Sequence, residues 1–175
     1  MKDWKDDNLR LMLIEMLEGD QKYRKRTDSI RRVFGEDSKK MDELWRKQDR
    51  IDSVNSIQLS RIIEGLNTYP GKTIVGKACQ DYALIIIQHS TLDFQEKFLP
   101  LIREAARKKE VNVSAVMLLE DRIHQRKTGK QIFGTQMYWD KEQLMMQQVP
   151  IDTTIDLSIF NKHLGLTKDN EFFIK

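Results

Sequence analysis

Residues that break helices are scarce in this sequence. It contains only three prolines and eight glycines among 175 residues. Because proline and glycine are the strongest local punctuators of regular structure, their scarcity favours long helices. Hydrophobic residues make up 39% of the chain, which is enough to build a core. We therefore predict a mainly α fold, organised as a single compact multi-helix domain over residues 1–175.

Apolar residues recur at helical spacing along most of the chain. The segment 76–89 is apolar nearly all round, which predicts a helix buried at the centre of the core. Ser90 with Asp93 resembles a capping box that begins the next helix, and Pro100 predicts a kink or restart within it. The predicted helices cover residues 7–26, 39–66, 76–89, 90–109 and a segment that begins near 112.

The segment after Gly129 has a different pattern. From 131 to 139, β-prone side chains alternate with their neighbours, which predicts a strand. A second strand over 144–149 would complete a β-hairpin near residues 131–149. Asp156 is then expected to cap a short last helix that stops at Gly165.

Composition and charge exclude several functional classes. The 30 basic and 27 acidic residues are interleaved, so no one-signed patch suits nucleic acid. The longest apolar run, residues 83–87, is far too short to span a membrane. The polar start predicts a cytoplasmic protein, although a secreted or periplasmic location stays open if a signal peptide has been removed. The lone Cys79 cannot form an internal disulfide and fits a small buried hydrophobe.

Several polar residues lie on faces that are otherwise apolar. Asp20 falls on the apolar stripe of the first helix, and Asp52 and Asn55 lie three apart on the second. A buried polar group without a partner costs several kcal/mol, so these residues must pair, bind something or point outwards. For Asp20 the alternatives are an ion pair with Arg24 and the floor of a pocket. For Asp52 and Asn55 they are bonds to a neighbouring segment and contact with a ligand.

His89 ends the apolar segment, directly after Gln88. A histidine at a helix C-terminus can be structural, because the helix dipole favours its charged form. Histidine also exchanges protons near neutral pH, which suits general acid–base catalysis. His89, Asp93 and Glu96 would suggest a metal site only if one helix continued through them. The capping signal at Ser90 argues against that continuity, so we predict no metal site and no cofactor.

Two further polar groups follow. Asp121 and Arg122 come directly after an apolar run, where an ion pair and a functional role are both open. In the Gly134-Thr135-Gln136 string, Gln136 either bonds backbone or fixes a ligand, and Gly134 suggests a bulge or close backbone approach.

These residues carry a resemblance. The chain resembles a bacterial family of uncharacterised proteins, a domain of unknown function, over roughly residues 20–166. The resemblance implies no established activity, but it singles out the residues above. The matching strings are Gln88-His89, Asp121-Arg122, Gln131-Ile132-Phe133-Gly134-Thr135-Gln136, Asp20-Gln21 with Arg24, Asp52 with Asn55, Val75-Gly76 and Leu99-Pro100.

The sequence departs from that family's pattern at two positions. Tyr69-Pro70 stands where a Gly-Trp-Pro string is usual, and no arginine follows Asp156. If these positions line a pocket, the ligand or the activity of this chain differs from those of its relatives.

Two functions remain open. The first is a module that binds a small ligand or a protein partner through a polar pocket around His89, Asp121, Arg122 and Gln136. The second is a cofactor-independent, hydrolase-like enzyme with His89 as general base. We predict that the polar residues form a spatial cluster. The predicted catalytic residues are His89 and Asp121, and the predicted binding residues are Asp20, Asp52, Asn55, Gln88, Arg122, Thr135 and Gln136.

Overall fold

Helices dominate the chain, as the scarcity of helix breakers predicts. The computed structural model describes residues 6–140, 142–143 and 145–164, with backbone alone at 161–163. The mainly α fold class and the small β-hairpin are both confirmed. The elements are α1 (Asp7–Arg24), α2 (Thr27–Phe34), α3 (Lys39–Leu66), α4 (Lys72–Val75), α5 (Tyr82–Gln88), α6 (Leu92–Arg107), α7 (Val113–Thr128), β1 (Met137–Asp140), β2 (Met145–Gln148) and α8 (Leu157–Leu164).

The chain divides into two compact units, residues 1–90 (unit 1) and 91–175 (unit 2). Unit 1 contains α1 to α5, and unit 2 contains α6 to α8 with the hairpin. The expectation of one domain over the whole chain stays a prediction.

In unit 1, α1 packs against α3 and α5, and α3 also packs against α5. Asn55 of α3 bonds to Met16 of α1, whereas Gln48 bonds to Tyr23, so the two helices run antiparallel. Their apolar stripes supply the buried side chains of this contact. Leu13 of α1 and Leu59 of α3 are both completely buried.

The long helix α3 has the predicted bounds, because both ends carry clear signals. The Ser38 hydroxyl accepts a hydrogen bond from the Met41 N–H, which satisfies one of the free donors at the helix start. At the other end, Asn67 adopts the left-handed conformation that commonly terminates helices. The segment 27–34, which we did not predict to be helical, forms α2 and has no buried residue.

The central apolar segment differs from the prediction at its start. A single helix over 76–89 was wrong, because Gly76 ends the short α4 and α5 begins only at Tyr82. The hydroxyl of Tyr69 accepts the Leu84 N–H near the start of α5. The predicted burial is confirmed, since most side chains of α5 are buried, and His89 caps its C-terminus.

The cap of α6 also differs from the prediction by one residue. Thr91, not Ser90, has the extended conformation of an N-cap, and its Oγ1 accepts from the Phe94 N–H. The Ser90 hydroxyl instead donates back to the Ile87 carbonyl. Pro100 lies inside α6 without ending it.

The predicted hairpin is present but shorter than its predicted bounds. Met137 pairs with Gln148, and Asp140 pairs with Met145, in an antiparallel register. Residues 132–136 are not a strand, because the backbone N–H groups of Ile132, Phe133 and Thr135 are directed at a carboxylate of α7. Leu144, the predicted start of the second strand, lies outside the described residues.

The short last helix begins as predicted. The Asp156 carboxylate accepts from the Ser158 N–H, directly before α8. Its predicted stop at Gly165 lies outside the described residues.

Candidate functional site

The imidazole of His89 lies directly against the carboxylate of Asp20 in unit 1. Its Nδ1 is 2.8 Å from Oδ1 and 2.9 Å from Oδ2 of that residue. The Asp20 side chain is only 1% exposed, whereas that of His89 is 17% exposed. An ionised carboxylate can only accept hydrogen bonds, so a neutral imidazole in this position carries its proton on Nδ1 and its lone pair on Nε2.

Other donors surround the same carboxylate. The side-chain amide of Gln21 donates to Oδ2 at 2.7 Å, and Arg24 Nη1 lies 3.3 Å from Oδ1. Arg24 follows Asp20 by one helical turn and forms an ion pair with it, which is one of the two alternatives that the sequence left open. These contacts explain how a carboxylate can be buried, because an unpaired buried charge would be far too costly.

Arg24 also binds the carboxylate of Asp52 with two nitrogens. Nη1 is 3.0 Å from Oδ1, and Nη2 is 2.5 Å from Oδ2. Gln48 braces this pair from one turn earlier on α3, with its Nε2 donating to Asp52 Oδ1 at 2.7 Å. The structure therefore brings the predicted residues Asp20, Asp52 and His89 into one network, with Arg24 at its centre.

Gln48 and Asn55 link α3 to the backbone of α1. Gln48 accepts from the Tyr23 N–H at 3.0 Å, and its amide lies 3.4 Å from the Gly19 carbonyl. Asn55 donates to the Met16 carbonyl at 2.9 Å. Both amides are buried. The hydrogen bond of Asn55 to a neighbouring helix is one of the two alternatives that the sequence left open.

The second ring nitrogen of His89 has no partner among the described residues. The side chain of His89 is also partly open to solvent. A metal site through His89, Asp93 and Glu96 would need one continuous helix, but α5 ends before His89 and α6 begins after it. Within the described ranges, no group of three or more histidine, cysteine, aspartate and glutamate residues is arranged to hold a metal ion.

In unit 2, the completely buried Asp121 carboxylate holds the loop that follows α7. Its Oδ1 accepts from the backbone N–H groups of Ile132 and Phe133 at 2.6 and 2.7 Å. Its Oδ2 accepts from the N–H and the hydroxyl of Thr135, both at 2.8 Å. Four donors thus occupy both oxygens of the residue that we predicted to be catalytic.

The two glutamines at the ends of this loop are also bonded to backbone. Gln131 donates to the carbonyls of Gln136 and Val149, and its oxygen accepts from the Gln136 N–H. The Gln136 amide donates to the Leu118 carbonyl at 3.2 Å. Gly134 between them has a φ of +88°, and a Cβ there would lie 2.8 Å from Gln148 Nε2. The Gly-Thr-Gln string therefore folds a tight loop around Asp121.

The remaining predicted binding residues lie beside these two networks. Gln88 is buried at the end of α5 in unit 1, and Arg122 is half-buried on α7 in unit 2. Both residues take part in interactions with other residues. Each unit thus contains its own local network, around Asp20 and His89 in unit 1 and around Asp121 in unit 2, and a single cluster of all these residues stays a prediction.

Sequence reasoning assigned no role to several buried polar residues. Gln48 and Gln131 are both 0% exposed. Gln48 could have been found, because it lies one helical turn after Leu44 on the buried stripe of α3. Arg103 and Glu120 of unit 2 form a two-point ion pair that joins α6 to α7.

The fold and the network define a mainly α protein in which a partly exposed histidine contacts a buried aspartate. The chain belongs to DUF6624, a family of unknown function, whose sequence profile matches residues 7–174. Searches among curated proteins and among solved structures found no significant match. In the described part of the chain, no helix is long and apolar enough to cross a membrane.

Proposed function

We propose that unit 1 carries a proton-transfer site in which His89 is the general base and Asp20 orients it. The observation that supports this is the contact of His89 Nδ1 with both oxygens of a buried carboxylate. Since Nδ1 carries the proton, Nε2 has the lone pair needed to accept one from water or a substrate hydroxyl. The adjacent carboxylate then stabilises the imidazolium that forms, as the aspartate does in catalytic triads.

This site supports a hydrolase-like reaction that needs no cofactor. His89 would remove a proton from an attacking water and return it to the leaving group, so the residue ends each cycle in its starting state. Asp121 is better explained as the anchor of the loop at 132–135, because its oxygens already accept four hydrogen bonds.

The test uses a panel of chromogenic esters, amides and phosphate esters with purified protein. Any activity found should disappear in His89→Ala and persist in His124→Ala, a histidine of unit 2 with a comparable exposure of 18%. His89→Ala should remain folded, with a stability cost of about 0.5–3 kcal/mol. If His89→Ala keeps the activity, the proposal is wrong, and if it unfolds, the histidine is structural.

A second candidate function is binding of a protein partner through the hairpin. Large apolar side chains are exposed along both strands, and methionine and aromatic residues are enriched where proteins meet. The exposed residues are Met137, Tyr138, Trp139, Met145 and Met146.

Affinity purification with the wild-type chain and with Trp139→Ser, followed by quantitative mass spectrometry, separates this candidate from the first. A partner that binds the hairpin is lost from the Trp139→Ser sample but is retained by His89→Ala. Equal recovery of every protein by wild type and Trp139→Ser would contradict binding through the hairpin.

A further inference from the structure

We infer that Arg24 and Asp52 are positioning residues, which hold the Asp20 carboxylate so that it fixes the tautomer of His89. The inference rests on the proposed function, since it assigns two residues to the orientation of the proposed base. Neither residue contacts the imidazole in the described structure. Both would act on it only through Asp20.

The guanidinium of Arg24 is fixed from two sides. On one side, Nη1 donates to the Asp20 carbonyl at 2.5 Å and lies 3.3 Å from Asp20 Oδ1. On the other, Nη1 and Nη2 bind the two oxygens of Asp52. A planar group with this two-point contact cannot turn without losing it, so its approach to Asp20 is set by Asp52.

Asp52 is itself held by contacts that return to α1. Gln48 donates to its Oδ1 and bonds in turn to the Tyr23 N–H of α1. The contacts thus form a closed ring from the backbone of α1, through two residues of α3, to Arg24 and Asp20. Gly19 lies in this part of α1, where a Cβ would come within 3.2 Å of Ile51 on α3. The close approach of the two helices therefore helps to keep the distances between the members of this closed set of contacts short.

The orientation of the Asp20 carboxylate depends on this ring. Nδ1 of His89 is nearly equidistant from its two oxygens, which requires one particular rotation of the carboxylate. Arg24 contacts Oδ1, and Gln21 contacts Oδ2, so they hold that rotation from opposite sides. Without Arg24 in place, Gln21 is the one residue other than His89 that is seen to contact this carboxylate in the described part of the chain. The ring of His89 would then lose its fixed acceptor and populate both neutral tautomers.

An alternative is that Arg24 and Asp52 only clamp α1 to α3. Both roles predict a loss of stability when the ion pair is broken, so stability alone does not distinguish them. The tautomer of His89 does, because a simple clamp would leave it unchanged. The tautomer can be measured without a substrate and without knowledge of the reaction.

The experiment measures the ring-nitrogen chemical shifts of ¹⁵N-histidine-labelled full-length protein at mildly alkaline pH. The wild type should show His89 with a protonated Nδ1 and an unprotonated Nε2. Asp52→Asn and Arg24→Lys should move both ring signals towards averaged values. Asn55→Ala is the matched control, because Asn55 also joins α3 to α1 but has no hydrogen bond to the carboxylates. It should lower the melting temperature and leave the His89 signals unchanged.

The outcomes separate the inference from the proposed function. Wild-type His89 signals in folded Asp52→Asn and Arg24→Lys would overturn the positioning role and leave the proposed base intact. A protonated Nε2 in the neutral wild type would remove the proposed function itself. If one variant unfolds, the other is decisive. Unfolding of both would assign the ion pair to stability and would also overturn the inference.

Discussion

His124 of α7 donates from Nε2 to Asp152 Oδ2 over 2.9 Å, so unit 2 also contains a histidine–carboxylate pair. Oδ1 of the same carboxylate accepts from the N–H and the hydroxyl of Thr154. The neighbouring backbone is bonded too, since the Asp152 N–H donates to the Gln131 carbonyl. The pair therefore fastens the segment after the hairpin to α7.

This carboxylate should make folding sensitive to acid. Hydrogen bonds from Thr154 and then from His124 lower the pKa of Asp152 to about 2 from the ordinary 3.8. Between these values the unfolded chain binds a proton that the folded chain does not. The stabilisation is therefore present above pH of about 4 and is lost as the pH falls towards about 2.

Asp152→Asn should remove that contribution. We expect the variant to be less stable than the wild type at neutral pH and to lose less stability between about pH 4 and pH 2. Denaturant midpoints measured across this range check the prediction. Parallel curves for the two proteins would show that Asp152 does not couple folding to this titration.

Replacement of the loop anchor in unit 2 should be strongly destabilising. In Asp121→Asn, the new amide would face the Thr135 N–H with a donor, and a buried N–H left without an acceptor is costly. We expect a loss on the order of 3 kcal/mol in the free energy of unfolding, measured by urea titration.

Asp140 provides the control for this measurement. Its Oδ1 also accepts two backbone N–H groups, those of Glu142 and Gln143, but at the exposed hairpin turn. Water can replace an exposed acceptor, so Asp140→Asn should cost less than about 1 kcal/mol. Equal losses in the two variants would mean that burial of the Asp121 carboxylate is not the cause.

Gly134 should resist substitution for two reasons. Its φ of +88° strains any residue with a Cβ, and that Cβ would displace the side-chain amide of Gln148, which donates to the Gly134 carbonyl. Gly134→Ala should lower stability by about 1–2 kcal/mol. Gly129→Ala is a matched control, because Gly129 has a φ of +78° with no atom within 4 Å of the added Cβ. It should show the backbone strain alone, and a loss as large as that at Gly134 would argue against a role for Gln148.

The sequence predicted what local rules determine. The bounds of α3 follow from the cap at Ser38 and from a continuous apolar stripe. His89 could be placed at the end of a buried helix because it directly follows an apolar segment. Asp20 stood out because a carboxylate interrupts an apolar face, and its bond to Arg24 follows from their spacing of four residues.

The partners of these residues could not be predicted in the same way. Asp20 and His89 are 69 positions apart, and their contact depends on how α1 packs against α5. His124 and Asp152 are 28 positions apart and meet because of the path of the loop between them. The alternating pattern over 131–139 predicted a strand that is too long. Four hydrogen bonds to the Asp121 carboxylate outweigh the β-propensity of the first half of this segment.

Tyr69 is buried and contacts the start of α5. Its buried hydroxyl donates to the Gln80 carbonyl at 2.8 Å and accepts from the Leu84 N–H at 3.2 Å. Burial raises the pKa of Tyr69, so the hydroxyl keeps its proton and can serve both bonds. Tyr69→Phe would leave a carbonyl and an N–H unsatisfied beside α5, whose C-cap is His89.

We expect Tyr69→Phe to lower the free energy of unfolding by about 2 kcal/mol or more, measured by urea titration. The loss should come from two groups that water cannot reach, since Tyr69 is 3% exposed. Tyr138→Phe removes the hydroxyl of a tyrosine that is 45% exposed on the hairpin, and it should change stability by less than about 0.5 kcal/mol. If the two variants lose the same amount, the Tyr69 hydroxyl does not stabilise α5. A loss of the expected size in the free energy of unfolding of Tyr69→Phe would instead show that this hydroxyl stabilises α5, the helix that presents His89 to Asp20.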